Sequence, residues 1–347
     1  MNRLFLVLTL ALSLHSSGAS CQKSGSISQL LETFERELDF SGVVLISRED
    51  SIFLHQGYGY TGGKVNATEK NTIFNVASVT KAFTALAIVK LAEERKLNLQ
   101  DSIAKYFLNI PIEKSGVTIH QLLTHQSGIP QTYAAEGETD ATKAADKIWK
   151  IRSEMQPGKF SYSNGNYTLL AIIIEKVSGK NWEDYIREAI LAPLEMRNSY
   201  FWAEENKTGL PESKPINKTP KRKRDYGYLG STGIFTTAVD LQKFQNALKS
   251  NVVINDSSRA LWAGKYVKLK SGAVNSSDYY SYGIFLTEGE NSNIWFRGNE
   301  DAWGASIAYW FPKSNTSVIV LSNKEKLSNG EKQHMYVSDQ IIKALNE

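Results

Sequence analysis

The spacing of apolar positions names most elements of this chain before any single residue does. Ile27, Leu30, Leu31, Phe34 and Leu38 recur at helical intervals, so the stretch from Ile27 to Leu38 reads as an amphipathic helix. The period then changes. SGVVLISRED and SIFLHQGYGY are short β-rich runs joined by a polar turn around Arg48 to Ser51, a hairpin signal. Next comes NVASVTKAFTALAIVKLAEERKLNLQ, Asn75 to Gln100, whose Ala, Leu and Lys content from Ser78 to Arg95 favours helix. After Pro111, up to about Leu210, the texture is helical and loop-rich: TIHQLLTHQSGIP, TKAADKIWKIRSEM and YTLLAIIIEKVSGKNWEDYIREAILAPL, with Gly179 ending one helix and Asn181 placed to cap the next. Beyond Asp225, TTAVDLQKFQNAL reads as helix and YYSYGIFLTE and NSNIWFRGN as strands. GASIAYWFP and TSVIVLSN form a further strand pair, and His334 to Leu345 closes the chain as a helix.

Strands at both ends of a helical middle predict one discontinuous α/β (α+β) domain over residues 30–345, an antiparallel sheet flanked by helices with a mostly helical insertion. The sheet lobe is expected at about 30–110 and 225–345, and the helical lobe at about 111–224. The cleft between two such lobes is where binding sites preferentially form. No internal repeat is visible. Composition adds exclusions: 41% hydrophobic and 22% charged residues fit a globular chain and neither a disordered nor a multi-span membrane protein. A net charge of +4 over 347 residues predicts no nucleic-acid partner, which would need basic residues concentrated on one face.

Residues 1–20 stand apart. Arg3, the apolar run LFLVLTLALSL and the small-residue stretch SSGAS read as a secretory signal peptide, so the chain is expected in the periplasm or cell envelope. Residues 21–29 read as a tether. Cys21, the only cysteine, cannot form an intrachain disulfide. Its place at the junction resembles the lipidation site of bacterial lipoproteins, which would anchor the chain to a membrane; a plain secretion signal is the other reading, and Gly18 stands where such junctions usually carry Leu. The N-x-S/T sequon at Asn166 is expected to be incidental.

Candidate chemistry begins at Ser78 and Lys81. Three residues apart on a helix, they share a face, so the amine can reach the hydroxyl. A serine needs a neighbour to take its proton, and a lysine accepts one only where its ammonium form is disfavoured; the apolar surroundings Phe74, Val76, Ala77, Phe83 and Leu86 are compatible with that. A helix starting at the serine would aim backbone N–H groups at the reacting carbonyl. Taken alone, Ser78 reads more readily as an ordinary N-cap than as a nucleophile.

Three further stretches change the weighting: TIHQLLTHQSGIP, PGKFSYSNGNYTLLAIIIEKVSGK and IWFRGNEDAWGASIAYWFP. Together with FNVASVTKAFTALAIVKLAEE and ILAPLEMRNSYF they make the chain, from about Leu30 to Ala344, similar to the serine β-lactamase and penicillin-binding protein superfamily, in the branch of class C β-lactamases, D-alanyl-D-alanine carboxypeptidases and related esterases. The resemblance implies an acyl-enzyme on Ser78, with Tyr162 passing protons between Ser78 and the leaving group and Asn164 hydrogen-bonding the substrate amide and Lys81. Whether Lys81 or Tyr162 is the acylation base stays open. Where the family carries Lys-Thr-Gly or His-x-Gly on a strand, this chain has Arg297-Gly298-Asn299-Glu300. Arg297 keeps a fork suited to a carboxylate, the glycine comes one place early, and Glu300 and Asp301 bring negative charge; the second oxyanion N–H falls to Glu300.

The remaining candidates have plainer readings. Tyr162 could be a packing aromatic. His120 and His125 lie five apart, which does not stack two ligands on one helix face; the resemblance gives His125 a structural place in LLTHQSG, and no metal or other cofactor is expected. Lys221-Arg222-Lys223-Arg224 reads as a solvated loop, suited to lie near anionic lipid or wall polymer. Tyr226, Tyr228, Trp295, Trp303 and Trp310 read as core by default, with lining of the cleft the alternative for Tyr228 and Trp303. The expected function is an exported serine hydrolase acting on a small-molecule or peptidoglycan-like D-amino acid peptide first, an ester second and a β-lactam third. The alternative is a catalytically silent, penicillin-binding-like ligand-binding or sensor protein with a drifted third motif. Oligomeric state is not legible.

Overall fold

Val43 to Ile46 and Val318 to Leu321 are apolar without alternation, the pattern of strands covered on both faces. The computed structural model, which describes residues 25–49, 51–61, 66–152, 155–214, 222–270, 277–300 and 304–346, pairs these two runs inside an eight-stranded antiparallel sheet. The leader, Cys21, Lys221, Asp301 and Trp303 lie outside the described residues. The strands are β1 (Gly42–Arg48), β2 (Ser51–Tyr58), β3 (Tyr60–Thr61), β4 (Asn66–Ala67), β5 (Phe74–Asn75), β6 (Tyr200–Phe201), β7 (Ile234–Thr236), β8 (Val267–Lys268), β9 (Tyr279–Tyr280), β10 (Phe285–Thr287), β11 (Asn293–Glu300), β12 (Gly304–Phe311) and β13 (Thr316–Ser322). The large sheet runs β2-β1-β13-β12-β11-β10-β9-β8, so the two ends of the chain meet at the β1–β13 ladder; β3 pairs with β4, and β5-β7-β6 form a small third sheet.

Helices cover both faces. They are α1 (residues 25–38), α2 (Thr80–Glu93), α3 (Ile119–Leu123), α4 (Ala141–Trp149), α5 (Asn164–Ser178), α6 (Trp182–Ile186), α7 (Ala238–Gln245), α8 (Asp256–Trp262) and α9 (Gln333–Asn346). Val44, Ile46, Val318 and Val320 pack with Ile27, Leu31 and Phe34 of α1 and with Val337 and Ile341 of α9. Their alternates Val43, Leu45, Ile319 and Leu321 face the larger core built with α2, α5 and α7. A one-residue slip of register would exchange these two sets, so the ladder is strongly specified. The resulting architecture is the expected antiparallel sheet flanked by helices.

α2 is buried on nearly every side from Thr80 to Leu91, as expected of an interior helix without a polar stripe. It packs against α5, α6 and α8, so the helical layer draws on the first third of the chain as well as its middle. Gly179 ends α5 in the left-handed conformation (φ 70°), which glycine adopts without steric cost. The basic run is a loop with Lys223 exposed, as expected from sequence, but its two arginines are paired. Arg222 pairs with Glu212, and Arg224 with Glu175 and Glu183, so opposite charges on neighbouring elements hold both guanidinium groups. Asn166 is fully buried, which bars glycosylation of the folded chain at that sequon. Among the described residues no helix is long and apolar enough to cross a membrane.

His334, at the start of α9, is fully buried with neither ring nitrogen hydrogen-bonded. Burial, with the charges of Arg297 and Lys332, pushes its pKa down to about 3. The unfolded chain binds that proton near the ordinary value of about 6.5, so this stability is complete above that pH and is lost as pH falls toward the folded value. The melting temperature is therefore expected to fall by several degrees between about pH 7 and pH 4, and His334→Leu to flatten that fall in parallel thermal melts; equal slopes would remove His334 as the cause.

Candidate active site

Beyond β5 the chain enters α2 through a single 3-10 turn, Ala77–Val79. Ser78 sits in that turn, and the helix expected from it begins at Thr80. The turn is held from three sides. Asn75 Oδ1 accepts from Ala77 N at 2.8 Å, Val76 N donates to Ile234 O at 3.0 Å, and Val76 O accepts from Ser306 Oγ at 2.8 Å. Ala77 has φ 46°, unusual for a residue with a side chain; such backbone strain persists only where the surroundings over-determine it.

Lys81 lies in the first turn of α2 and is 1% exposed. Its Nζ donates to Ser78 Oγ at 3.0 Å, Asn164 Oδ1 at 2.7 Å and Ser231 O at 2.9 Å, the full donor complement of an ammonium. A neutral amine would keep two N–H groups on Asn164 and Ser231 and aim its lone pair at the Ser78 hydroxyl, the geometry a general base needs. The ring of Tyr162, half-buried, has its centroid 4.9 Å from the same nitrogen.

Asn164 opens α5 instead of lying in the loop before it, and Ser163 is the extended N-cap residue. Asn164 N donates to Gln131 Oε1 at 2.8 Å and Ser163 Oγ to Pro130 O at 2.8 Å, so the segment around Pro130 aims this helix start at Lys81. His125, entirely buried, is held well below the usual histidine range, first by burial and then by the charge of Lys81. His120 binds Tyr282 OH through Nδ1 at 2.8 Å. Among the described residues, no group of three or more His, Cys, Asp or Glu could hold a metal.

β10 pairs with β11 only across Asn293 to Trp295, so among the described residues the outer edge of Phe296–Glu300 is unpaired where it passes the serine turn. Gly298 is the point of contact. A Cβ there would lie 2.1 Å from Val76 O and 2.8 Å from Ser78 N, so the space is filled by the turn that carries Ser78 and is not left to a ligand. By strand alternation, Arg297 and Asn299 share the face of Trp295, under α9. Arg297 is half-buried and has no hydrogen bond or ion pair among the described residues; burial lowers its pKa, opposed by Tyr162, Tyr309 and Glu325. Asn299 Nδ2 donates to Glu325 Oε1 at 3.2 Å, leaving its buried Oδ1 without a partner. Glu300 extends the β11 ladder opposite Gly304, its side chain outside the described residues.

The structure thus brings Ser78, Lys81, Tyr162 and Asn164 together, seats Gly298 against them, and sets Arg297 within electrostatic reach of Tyr162. Sequence reading missed Ser231, Gln131 and Ser306. Ser231 acts through its carbonyl, which no side-chain pattern reveals, and the other two act by supporting backbone far away in sequence.

A fold and a serine–lysine site of this kind are found in penicillin-recognising serine hydrolases. The sequence profile of the β-lactamase family matches residues 27–340, and the chain belongs to that family. It is 31% identical to Protein flp of Staphylococcus aureus (strain MRSA252) over 304 residues, covering 81% of this chain but only 58% of that one. Among solved structures it is similar to an octameric penicillin-binding protein homologue from Pyrococcus abyssi, with a TM-score of 0.77 and 26% identity over 92% of this chain and 77% of the other. D-amino acid amidase from Ochrobactrum anthropi SV3, at 20% identity, shares the fold with a TM-score of 0.78, covering 94% of this chain and 98% of the other.

The contact at Gly298 gives a direct expectation. Gly298→Ala must push β11 away from Val76 O, lowering stability by about 1–3 kcal/mol as an overpacked contact. A thermal melt should show the loss, and an unchanged melting temperature would mean that the turn yields freely.

Proposed function

We propose that this chain is a serine hydrolase working through an acyl-enzyme: Ser78 Oγ attacks a carbonyl carbon, its proton passes to Lys81 or Tyr162, the leaving group departs protonated, and water releases the acid. The observation that carries the reading is the 3.0 Å contact from a buried Lys81 Nζ to Ser78 Oγ, with Asn164 and Ser231 occupying the other two donor positions. A hydroxyl and an amine fixed this way form an activated nucleophile. Ser78 N, beside the free edge of β11, supplies one donor for the oxyanion, with the second assigned to the Glu300 end of that strand.

The substrate class follows from the edge. An unpaired strand beside the nucleophile favours an extended peptide-like backbone, and the unpaired Arg297 guanidinium favours a carboxylate near it. A peptidoglycan-like peptide ending in a D-amino acid supplies both, with a simple ester and a β-lactam as smaller alternatives. The leader-like sequence and Cys21 support a location outside the cytoplasm, held at the envelope by a lipid if Cys21 is acylated.

A second reading rests on one observation. Gly298 is filled by the serine turn and Asn299 is turned to Glu325, so β11 lacks the usual substrate-binding side chains at these positions and could support acylation without turnover. Incubating the purified protein with a fluorophosphonate and a fluorescent penicillin, beside Ser78→Ala, tests both. Labelling of the wild type alone, followed by hydrolysis of a D-Ala-D-Ala peptide or a p-nitrophenyl ester, supports the hydrolase. Labelling without hydrolysis of these or of nitrocefin supports the sensor, and no labelling by either probe refutes both.

Lys81→Ala is expected to slow acylation about 10²–10⁴-fold. It should also cost about 1–3 kcal/mol of stability, because Asn164 Oδ1 and Ser231 O lose their donor. Stopped-flow acylation with thermal melts checks both numbers, and full acylation in this variant would assign the base role to Tyr162 alone.

A further inference from the structure

His125 is the residue of the LLTHQSG stretch that the acyl-transfer scheme leaves without a role. It is fully buried at a left-handed backbone position (φ 56°). Its ring is boxed by Tyr162, with centroids 4.4 Å apart, by Tyr167 and Tyr280, each at 5.1 Å, and by Phe160 at 6.0 Å. The hydrogen bonds around it fix where its proton must be. Ser127 Oγ donates to Asn166 Oδ1 at 2.7 Å, so the amide of Asn166 turns its Nδ2 toward His125 Nδ1 at 3.3 Å. Ser163 N donates to the same Nδ1 at 3.1 Å. Two donors on one nitrogen leave no room for a proton there, so a neutral ring carries it on Nε2. That Nε2 is buried and has no hydrogen-bond partner among the described residues.

A buried N–H without an acceptor costs on the order of 1–3 kcal/mol, so this arrangement is not one that stability alone would favour. We propose that His125 is a positioning residue of the acyl-transfer site, a neutral imidazole locked as the Nε2–H tautomer that holds Tyr162 and the Ser163–Asn166 start of α5 against Lys81. The inference rests on the serine-hydrolase reading. Its path is short: the ring lies tilted by 38° against Tyr162, and Nδ1 grips residues 163 and 166 on either side of Asn164, whose Oδ1 accepts from Lys81 at 2.7 Å. Burial of the ring and the charge of Lys81 both oppose a second proton, which would meet two N–H groups at Nδ1.

Two substitutions separate this role from simple packing. His125→Asn places an amide oxygen near the Nδ1 position and tolerates the left-handed backbone, whereas His125→Leu keeps bulk and loses the acceptor. Acylation by a fluorophosphonate is measured well below the melting temperature of the less stable variant. The expected result is a loss of about 30–100-fold in the acylation rate for His125→Leu, with probe affinity changed less than about threefold, and recovery to within about fivefold of wild type for His125→Asn. Equal loss in both variants, or loss in neither, overturns the proposal. In the wild type, a long-range proton–nitrogen spectrum should show Nδ1 without a proton from about pH 8 to pH 5; a protonated Nδ1, or titration near the free value of about 6.5, overturns it as well. If the wild type is not labelled at all, the hydrolase reading fails, whereas full labelling in both the wild type and His125→Leu sinks only the inference.

Discussion

Lys81 Nζ is where three separate stretches of chain meet. It ties the turn that carries Ser78, the first residue of α5 and the carbonyl of Ser231 ahead of β7 to one buried nitrogen. Each partner is fixed in turn by its own element: the serine turn by Ser306 and Ile234, Asn164 by Gln131, and the loop before Ser231 by Thr84, whose Oγ1 donates to Gly230 O at 2.8 Å. An interior helix suits this task, because α2 is packed around its circumference and its first turn has little freedom to move. The large sheet matters to the site mainly as the wall against which that turn is pressed.

That wall explains why residue 298 is a glycine. Gly298 lies so close to Val76 O and Ser78 N that its missing side chain serves the protein's own packing. Its neighbours Arg297 and Asn299 face α9 and its polar surroundings, where His334, Asn299 and Gln333 keep unpaired buried atoms. Among the described residues the outer edge of Phe296–Glu300 stays unpaired beside the serine, and Arg297 has no hydrogen bond or ion pair.

Much of this could be read from the residues alone. Both-face burial was written in VVLI and SVIVL, the helix of residues 25–38 in its apolar spacing, and the pairing of Ser78 with Lys81 in a three-residue interval. The family order of LLTHQSG and SYSN pointed to Tyr162 and Asn164 before their distances to Lys81 were known. What escaped had physical reasons. The acceptor role of Ser231 is a backbone property, the ion pairs of Arg222 and Arg224 join residues far apart in sequence, and the start of α2 at Thr80 depends on strain at Ala77 that periodicity does not register.

α1 carries a consequence for how such a molecule can be held. It packs beside α9 on the sheet face opposite α2 and α5, and its first described residue, Gly25, lies in that layer. Any grip on the N-terminus, whether a lipid, a longer stalk or a fused partner, therefore takes hold of the layer that contributes neither the serine nor the lysine. Handling from that end leaves the packing around α2 to itself, so tethering and reactivity are mechanically separate properties of this fold.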